Sequence, residues 1–229
     1  MQRIDVLFLQ ETRIQCPEDY CVKKVGEYTV YGSRCSGSKY GAAVCVHNSI
    51  IDNVMGASGH GDRGMEIILT EPGYTRGHKS PKLIRLLSLY APQDEQRSPQ
   101  GERDRKKYWR EVNAILQQNF GSKTMLNIVG ADCNGRLAST YGSAEVGQQC
   151  LHDEFTRNGH SVADLLLKNR MKAVNTFETG QTASKTGNTS EQRAASHELA
   201  TFTTYKSQSQ IDYVLASKSV KTLSWGLAK

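Results

Sequence analysis

No stretch of this 229-residue sequence approaches the run of roughly 18 apolar residues that a bilayer-crossing helix needs, and no secretory apolar segment is present. That argues against a membrane span or a membrane partner and leads to the expectation of a soluble, intracellular protein. The six cysteines, Cys16, Cys21, Cys35, Cys45, Cys133 and Cys150, lack CxxC pairing and the Cys/His spacing of zinc sites. A structural zinc is therefore not expected, and reduced, mostly buried thiols are. There is also no internal repeat.

What is present fits one ordinary domain, expected to span residues 1–229, with 38% hydrophobic residues to build a core. The formal charge of +6 and pI near 9.0 attract polyanions without saying which. The densest basic stretch, RSPQGERDRKKYWR at 97–110, also carries acidic residues at helical spacing, which favours a solvated helix face over a DNA-contacting patch.

Short runs rich in Val, Ile and Leu, bounded by Gly, Pro, Asn or Asp, predict buried strands at 4–9, 29–32, 42–47, 65–69, 83–89, 125–130 and 211–215. Helical periodicity predicts helices over 102–118, with Tyr108, Val112, Ile115 and Leu116 on one face, and over 161–169. Strands separated by turns, with few long crossovers, predict an α+β fold: two packed, mixed, largely antiparallel sheets flanked by helices. Residues 179–196 are small, polar and charged, and read as a long mobile loop.

Four segments bear residues suited to chemistry. Glu11 follows IDVLFLQ at the mouth of a strand, where hard cations are met but where cap residues are also common. Tyr90 ends LIRLLSLY before Pro92; its phenol suits donation to a phosphate oxygen, or simple cover of a core rim. In LNIVGADCNGR, Asp132 and Asn134 follow a strand between Gly130 and Gly135. The carboxylate could activate a water and the amide could donate to charge on a phosphate; an Asx turn would use the same residues. Asp212 lies in the apolar QIDYVL and must be paired, hydrogen-bonded or near a metal.

In sequence order these blocks resemble the endonuclease/exonuclease/phosphatase (DNase I-like) superfamily, and in detail the endonuclease domain of non-LTR retrotransposons and their domesticated relatives. The stretches that carry the resemblance are FLQET, YGAAVCV, LYAP, GADCNGR, VNTFETG and TFTTYKSQSQIDYVL. It implies a DNase I-like α/β sandwich in which Glu11 binds Mg²⁺ (Mn²⁺ being the alternative) and Tyr90 assists near the scissile phosphate. Asp132 would orient or activate the attacking water, Asn134 would stabilise the transition state, and Asp212 would support the site by hydrogen bonding. Thr201 would sit at the edge of a DNA-facing surface. The implied partner is DNA, the implied compartment the nucleus, and an intact parent protein would carry a reverse transcriptase.

The family's upstream catalytic Asn and its closing Ser-Asp-His block have no counterpart here. The expectation is thus an incomplete domain, truncated at both ends, impaired or inactive by itself. A non-catalytic nucleic-acid-binding module on the same scaffold is the alternative; a phosphatase or phospholipase of the same superfamily fits less well.

Overall fold

The computed structural model describes residues 3–35, 40–71, 82–94, 98–118, 125–138, 143–177, 201–203 and 208–220. The loop expected at 179–196 lies outside them. The chain divides into two compact units, 1–91 with 117–131, and 92–116 with 132–229.

The first unit holds β1 (Val6–Gln10), β2 (Tyr20–Val25), β3 (Tyr28–Ser33), β4 (Ala42–His47), β5 (Val54–Gly59), β6 (Gly64–Thr70), β7 (Leu83–Tyr90) and nearly all of β8 (Met125–Asp132). One sheet has the order β1-β4-β3-β2, antiparallel throughout. In the second, β5, β6 and β7 pair antiparallel and β8 lies beside β7. The two pack face to face through alternate residues: Ala42, Val44 and Val46 of β4 meet Met65, Ile67 and Leu69 of β6 and Leu86 of β7. Period-two alternation sends those side chains inward, and their burial at a few per cent exposure or less supplies the unit's hydrophobic stabilisation. This is the expected sandwich of two largely antiparallel sheets.

An ion cluster crosses this unit. Arg85, fully buried, donates to Glu66 (2.6 Å), Asn127 (3.1 Å) and the Gln118 carbonyl (3.0 Å), and His60 lies 2.8 Å from the other Glu66 oxygen. Every charge there has a partner, as burial demands.

The second unit contains α1 (Pro99–Gln117, all but its last residue), α2 (Arg157–Lys168), β9 (Met171–Ala173), β10 (Phe202–Thr203), β11 (Gln208–Ser209) and β12 (Asp212–Ser217), with β9 antiparallel to β12 and β10 antiparallel to β11. α1 starts three residues before the expected 102. Ser98 accepts from the Gly101 amide (3.1 Å) and Pro99 occupies the first helical position, where a missing N–H costs nothing. α2 starts at 157 instead of 161, because the Thr156 hydroxyl caps it by accepting from Gly159 N (3.3 Å). From residue 98 on, the stretch expected as a solvated face is only partly one: Arg105 and Trp109 are buried, and Arg105 pairs with Glu102 at 3.1 Å. None of the six cysteines forms a disulfide, and Cys16, Cys35, Cys45 and Cys133 are buried.

Candidate functional site

In the first unit, Glu11 stands one residue beyond β1 and Tyr90 is the last residue of β7. Separated by 79 positions in sequence, they meet directly: the Tyr90 hydroxyl donates to Glu11 Oε1 at 2.8 Å. Tyr90 is buried, whereas about half of the Glu11 side chain is exposed, so the phenol orients a carboxylate that remains open to solvent. Arg13 lies 3.7 Å from the second Glu11 oxygen.

The backbone here is held in an uncommon shape. Glu11 (φ 53°), Arg13 (φ 53°) and Tyr40 (φ 74°) occupy the left-handed region, and the two segments are tied by Thr12 N to Gly41 O (3.2 Å) and Arg13 N to Tyr40 O (3.0 Å). Each such non-glycine residue costs on the order of 1–3 kcal/mol, a strain that concentrates at functional sites. Arg63 completes the group. Its guanidinium sits 3.8 Å from the Tyr40 ring centre and 5.3 Å from that of Tyr90, and the Arg63 and Tyr90 backbones are joined by Tyr90 N to Arg63 O (2.9 Å). A cation over an aromatic face is attracted by the ring quadrupole, so Arg63 stiffens Tyr90 while adding positive charge beside Glu11's partner. Sequence reading missed Arg63, which lies in a turn with no periodic signal.

Gly130 explains how β8 approaches β1: a Cβ there would lie 2.4 Å from the Phe8 side chain. Gln10 uses the same approach to donate to Gly130 O (3.1 Å) and to Ser88 (3.0 Å).

The second unit gathers the other four expected residues. Asp132 closes β8 and its Oδ1 accepts from Asn134 N at 2.9 Å, an Asx turn. Asn134 adopts φ 44°, a conformation asparagine tolerates well. The turn is anchored to the start of β12 by Cys133 N donating to Ile211 O (2.9 Å). Asp212 begins β12, and the Thr201 hydroxyl accepts from the amides of Ile211 (3.0 Å) and Asp212 (3.1 Å).

Electrostatics links the two aspartates. The Cys133 thiol is pushed far above its ordinary range, first by complete burial and then by the negative charges of Asp132 and Asp212. Asp212 is itself raised above the usual aspartate range, because its desolvation outweighs a hydrogen bond with Thr201. Two neutral residues brace this set. Asn175, from the VNTFETG stretch, donates to Asp212 O (3.1 Å) and accepts from Val214 N (3.1 Å). The Tyr213 hydroxyl accepts from Leu137 N (2.9 Å) and donates to Gln210 O (2.7 Å).

Asn158, wholly buried in the first turn of α2, holds the Asn134 turn from the other side. Its Nδ2 donates to Asn134 O (3.1 Å) and Pro92 O (2.7 Å), and its Oδ1 accepts from Trp109 Nε1 (2.9 Å). Gly135 makes room, since a Cβ there would lie 2.5 Å from the Asn158 Cβ. Among the described residues, no group of three or more His, Cys, Asp and Glu side chains is arranged to hold a metal ion.

Against solved structures, the chain superposes on AP endonuclease LMAP from Leishmania major with a TM-score of 0.54 at 15% identity, covering 93% of this chain and 69% of that one. The catalytic domain of Xenopus laevis APE2 gives a TM-score of 0.55 at 13% identity, covering 93% and 74%. The fold is DNase I-like. No protein-family model matches the chain, and no curated protein matches it by sequence. On the DNase I-like fold, Glu11 and Tyr90 pair at strand ends of one unit, and Asp132, Asn134, Asp212 and Thr201 form a hydrogen-bonded set in the other.

Proposed function

We propose that the chain is a divalent-metal-dependent DNA phosphodiesterase of the endonuclease kind, of the type found in retrotransposons. The observation that carries the reading is the hydrogen bond from Tyr90 to Glu11, which joins two residues far apart in sequence that the resemblance independently singles out. The solved structures it superposes on are those of AP endonucleases, which supports DNA as the substrate.

In this reading Glu11 would hold Mg²⁺, or Mn²⁺ in its place. A hard cation that keeps several waters needs only one or two carboxylates, so a half-exposed Glu11 fits without a larger ligand cluster. When bound, such an ion would offset phosphate charge and polarise a water. Tyr90 fixes the Glu11 carboxylate through its hydroxyl and, by the resemblance, would assist near the scissile phosphate. The resemblance would have Asp132, the last residue of β8, orient the attacking water and take its proton, and the Asn134 side-chain amide donate to charge developing on a phosphate oxygen. Asp212 acts through the hydrogen bonds around it, and Thr201 holds Asp212 at the edge of the DNA-contacting surface. Within a parent protein bearing a reverse transcriptase, the nick would prime DNA synthesis in the nucleus.

The test uses the whole chain with supercoiled plasmid and Mg²⁺, then Mn²⁺, reading nicked circles on a gel. Slow metal-dependent nicking that falls by about 100-fold or more in Asp132→Ala supports the reading. Salt-dependent DNA binding without nicking would favour the non-catalytic nucleic-acid-binding module, a role consistent with the +6 charge. Neither nicking nor low-salt binding would sink both.

A further inference from the structure

We infer that the groove between α1 and α2 is a second nucleic-acid contact, one that grips the phosphate backbone and takes no part in the chemistry. The inference rests on nucleic acid being the partner and does not require the chain to be catalytic. The groove has a volume of about 780 Å³. One wall is a stripe of α1, where Arg103, Lys106, Lys107 and Arg110 recur at i, i+3, i+4 and i+7 and so share a face over about 10 Å of helix axis. Lys168, in the last turn of α2, lines it as well. Five cations thus line a groove that holds two carboxylates, Asp104 and Asp164.

Those cations are weakly engaged. Lys106 and Lys107 form exposed pairs with Glu102 (3.0 Å) and Glu111 (3.8 Å), of a kind that contributes little and yields readily to a phosphate. Among the described residues, Arg103 bonds the neutral Gln100 (2.8 Å) and no carboxylate, and neither Arg110 nor Lys168 forms an ion pair. A convex solvated helix face would explain the charges alone, but here the floor is made of buried Trp109 and Leu165. That floor is also fixed to the Asn134 turn, because Trp109 donates to Asn158 and Asn158 donates to Asn134 O. A backbone seated in the groove is therefore held in a set register with the turn that carries Asp132 and Asn134. Cations spaced at regular intervals along one helix face suit the regular row of phosphates on a rigid duplex better than an acidic peptide, which must first be ordered.

The experiment measures binding of the full chain to a labelled duplex of about 20 bp across about 50 to 200 mM salt. It compares the wild type with the triple variant Arg103→Gln, Lys106→Gln, Arg110→Gln, all three exposed residues; circular dichroism confirms the helices are unchanged. The variant should bind at least 10-fold more weakly at low salt, and its log K against log salt slope should shrink by about 0.9 for each phosphate that is no longer neutralised. An unchanged slope overturns the inference, as does an absence of DNA binding at low salt. So does an oligoglutamate peptide whose binding falls in the variant while that of DNA does not, since the groove would then serve an acidic protein partner. Asp132→Ala separates the two readings: nicking abolished there, with the triple variant keeping the wild-type slope, would remove the groove and leave the nuclease standing. A slope that shrinks in a chain that never nicks would keep the groove and remove the nuclease.

Discussion

Glu66 in the first unit and Asp212 in the second are carboxylates withdrawn from water on strands, and their surroundings push them in opposite directions. Burial by itself raises Glu66, but His60 and Arg85 overcome it through hydrogen bonds and charge and hold the carboxyl below the usual glutamate range. Asp212 is raised, because desolvation is opposed only by Thr201. Among the described residues no cation pairs with Asp212, whereas Glu66 has two bases within 2.8 Å. The first arrangement closes its charges on one another, as a structural network does. The second leaves its carboxylate only partly compensated, so that burial disfavours the charged form.

Breaking the closed network should have the largest effect. Arg85→Met removes the guanidinium and strands Glu66, costing about 3–5 kcal/mol by urea unfolding, a large share of the roughly 5–15 kcal/mol that holds a typical domain. A loss below about 1 kcal/mol would mean that water already reaches Glu66. Asn158→Ala comes next. It deletes the partner of the buried Trp109 Nε1 and of the part-buried Asn134 O and Pro92 O, and should cost about 2–3 kcal/mol while lowering any nicking further than its stability loss explains.

The pH dependence sharpens the comparison because the two signs differ. Glu66 has a depressed folded pKa, so its stabilisation is complete above its ordinary value of 4.5 and is lost as pH falls through its lower folded value. Asp212 has an elevated one, so its carboxylate costs stability at neutral pH and the cost is relieved as pH falls through that value. In an acid titration followed by thermal unfolding, Glu66→Gln should flatten the low-pH loss. Asp212→Asn should leave that loss in place while keeping neutral-pH stability within about 1 kcal/mol of wild type, or raising it. A strongly destabilised Asp212→Asn would show that Asp212 is structural after all. The smallest effect is expected from Glu111→Ala, within about 0.5 kcal/mol, since its pair with Lys107 is exposed.

Where strands are apolar and buried, the sequence could be read closely: β4 falls on its expected 42–47, and β7 and β8 run one and two residues beyond their expected ends, to Tyr90 and Asp132. β2 and β5 escaped. YCVKKV places two lysines in a strand with little buried surface, and VMGASG has neither alternation nor an apolar run, so both are strands because a neighbour offers backbone partners. The candidate site divides in the same way. Glu11, Tyr90, Asp132, Asn134 and Asp212 could be picked out because ionisable and amide groups at strand ends stand out against apolar runs. Arg63, Asn158 and Asn175 could not, since a turn arginine and buried amides take their roles from partners 24 to 66 positions away.

The order of apolar and polar residues by itself determined that this chain forms short strands closed by acidic and amide residues, since alternation and turn chemistry act over a few neighbours. The tertiary structure alone decided that Tyr90 holds Glu11, that Glu66 is neutralised while Asp212 is left raised, and that a row of α1 cations borders a groove. Hydrogen bonds and desolvation depend on distances through space, and those exist only once distant segments have packed.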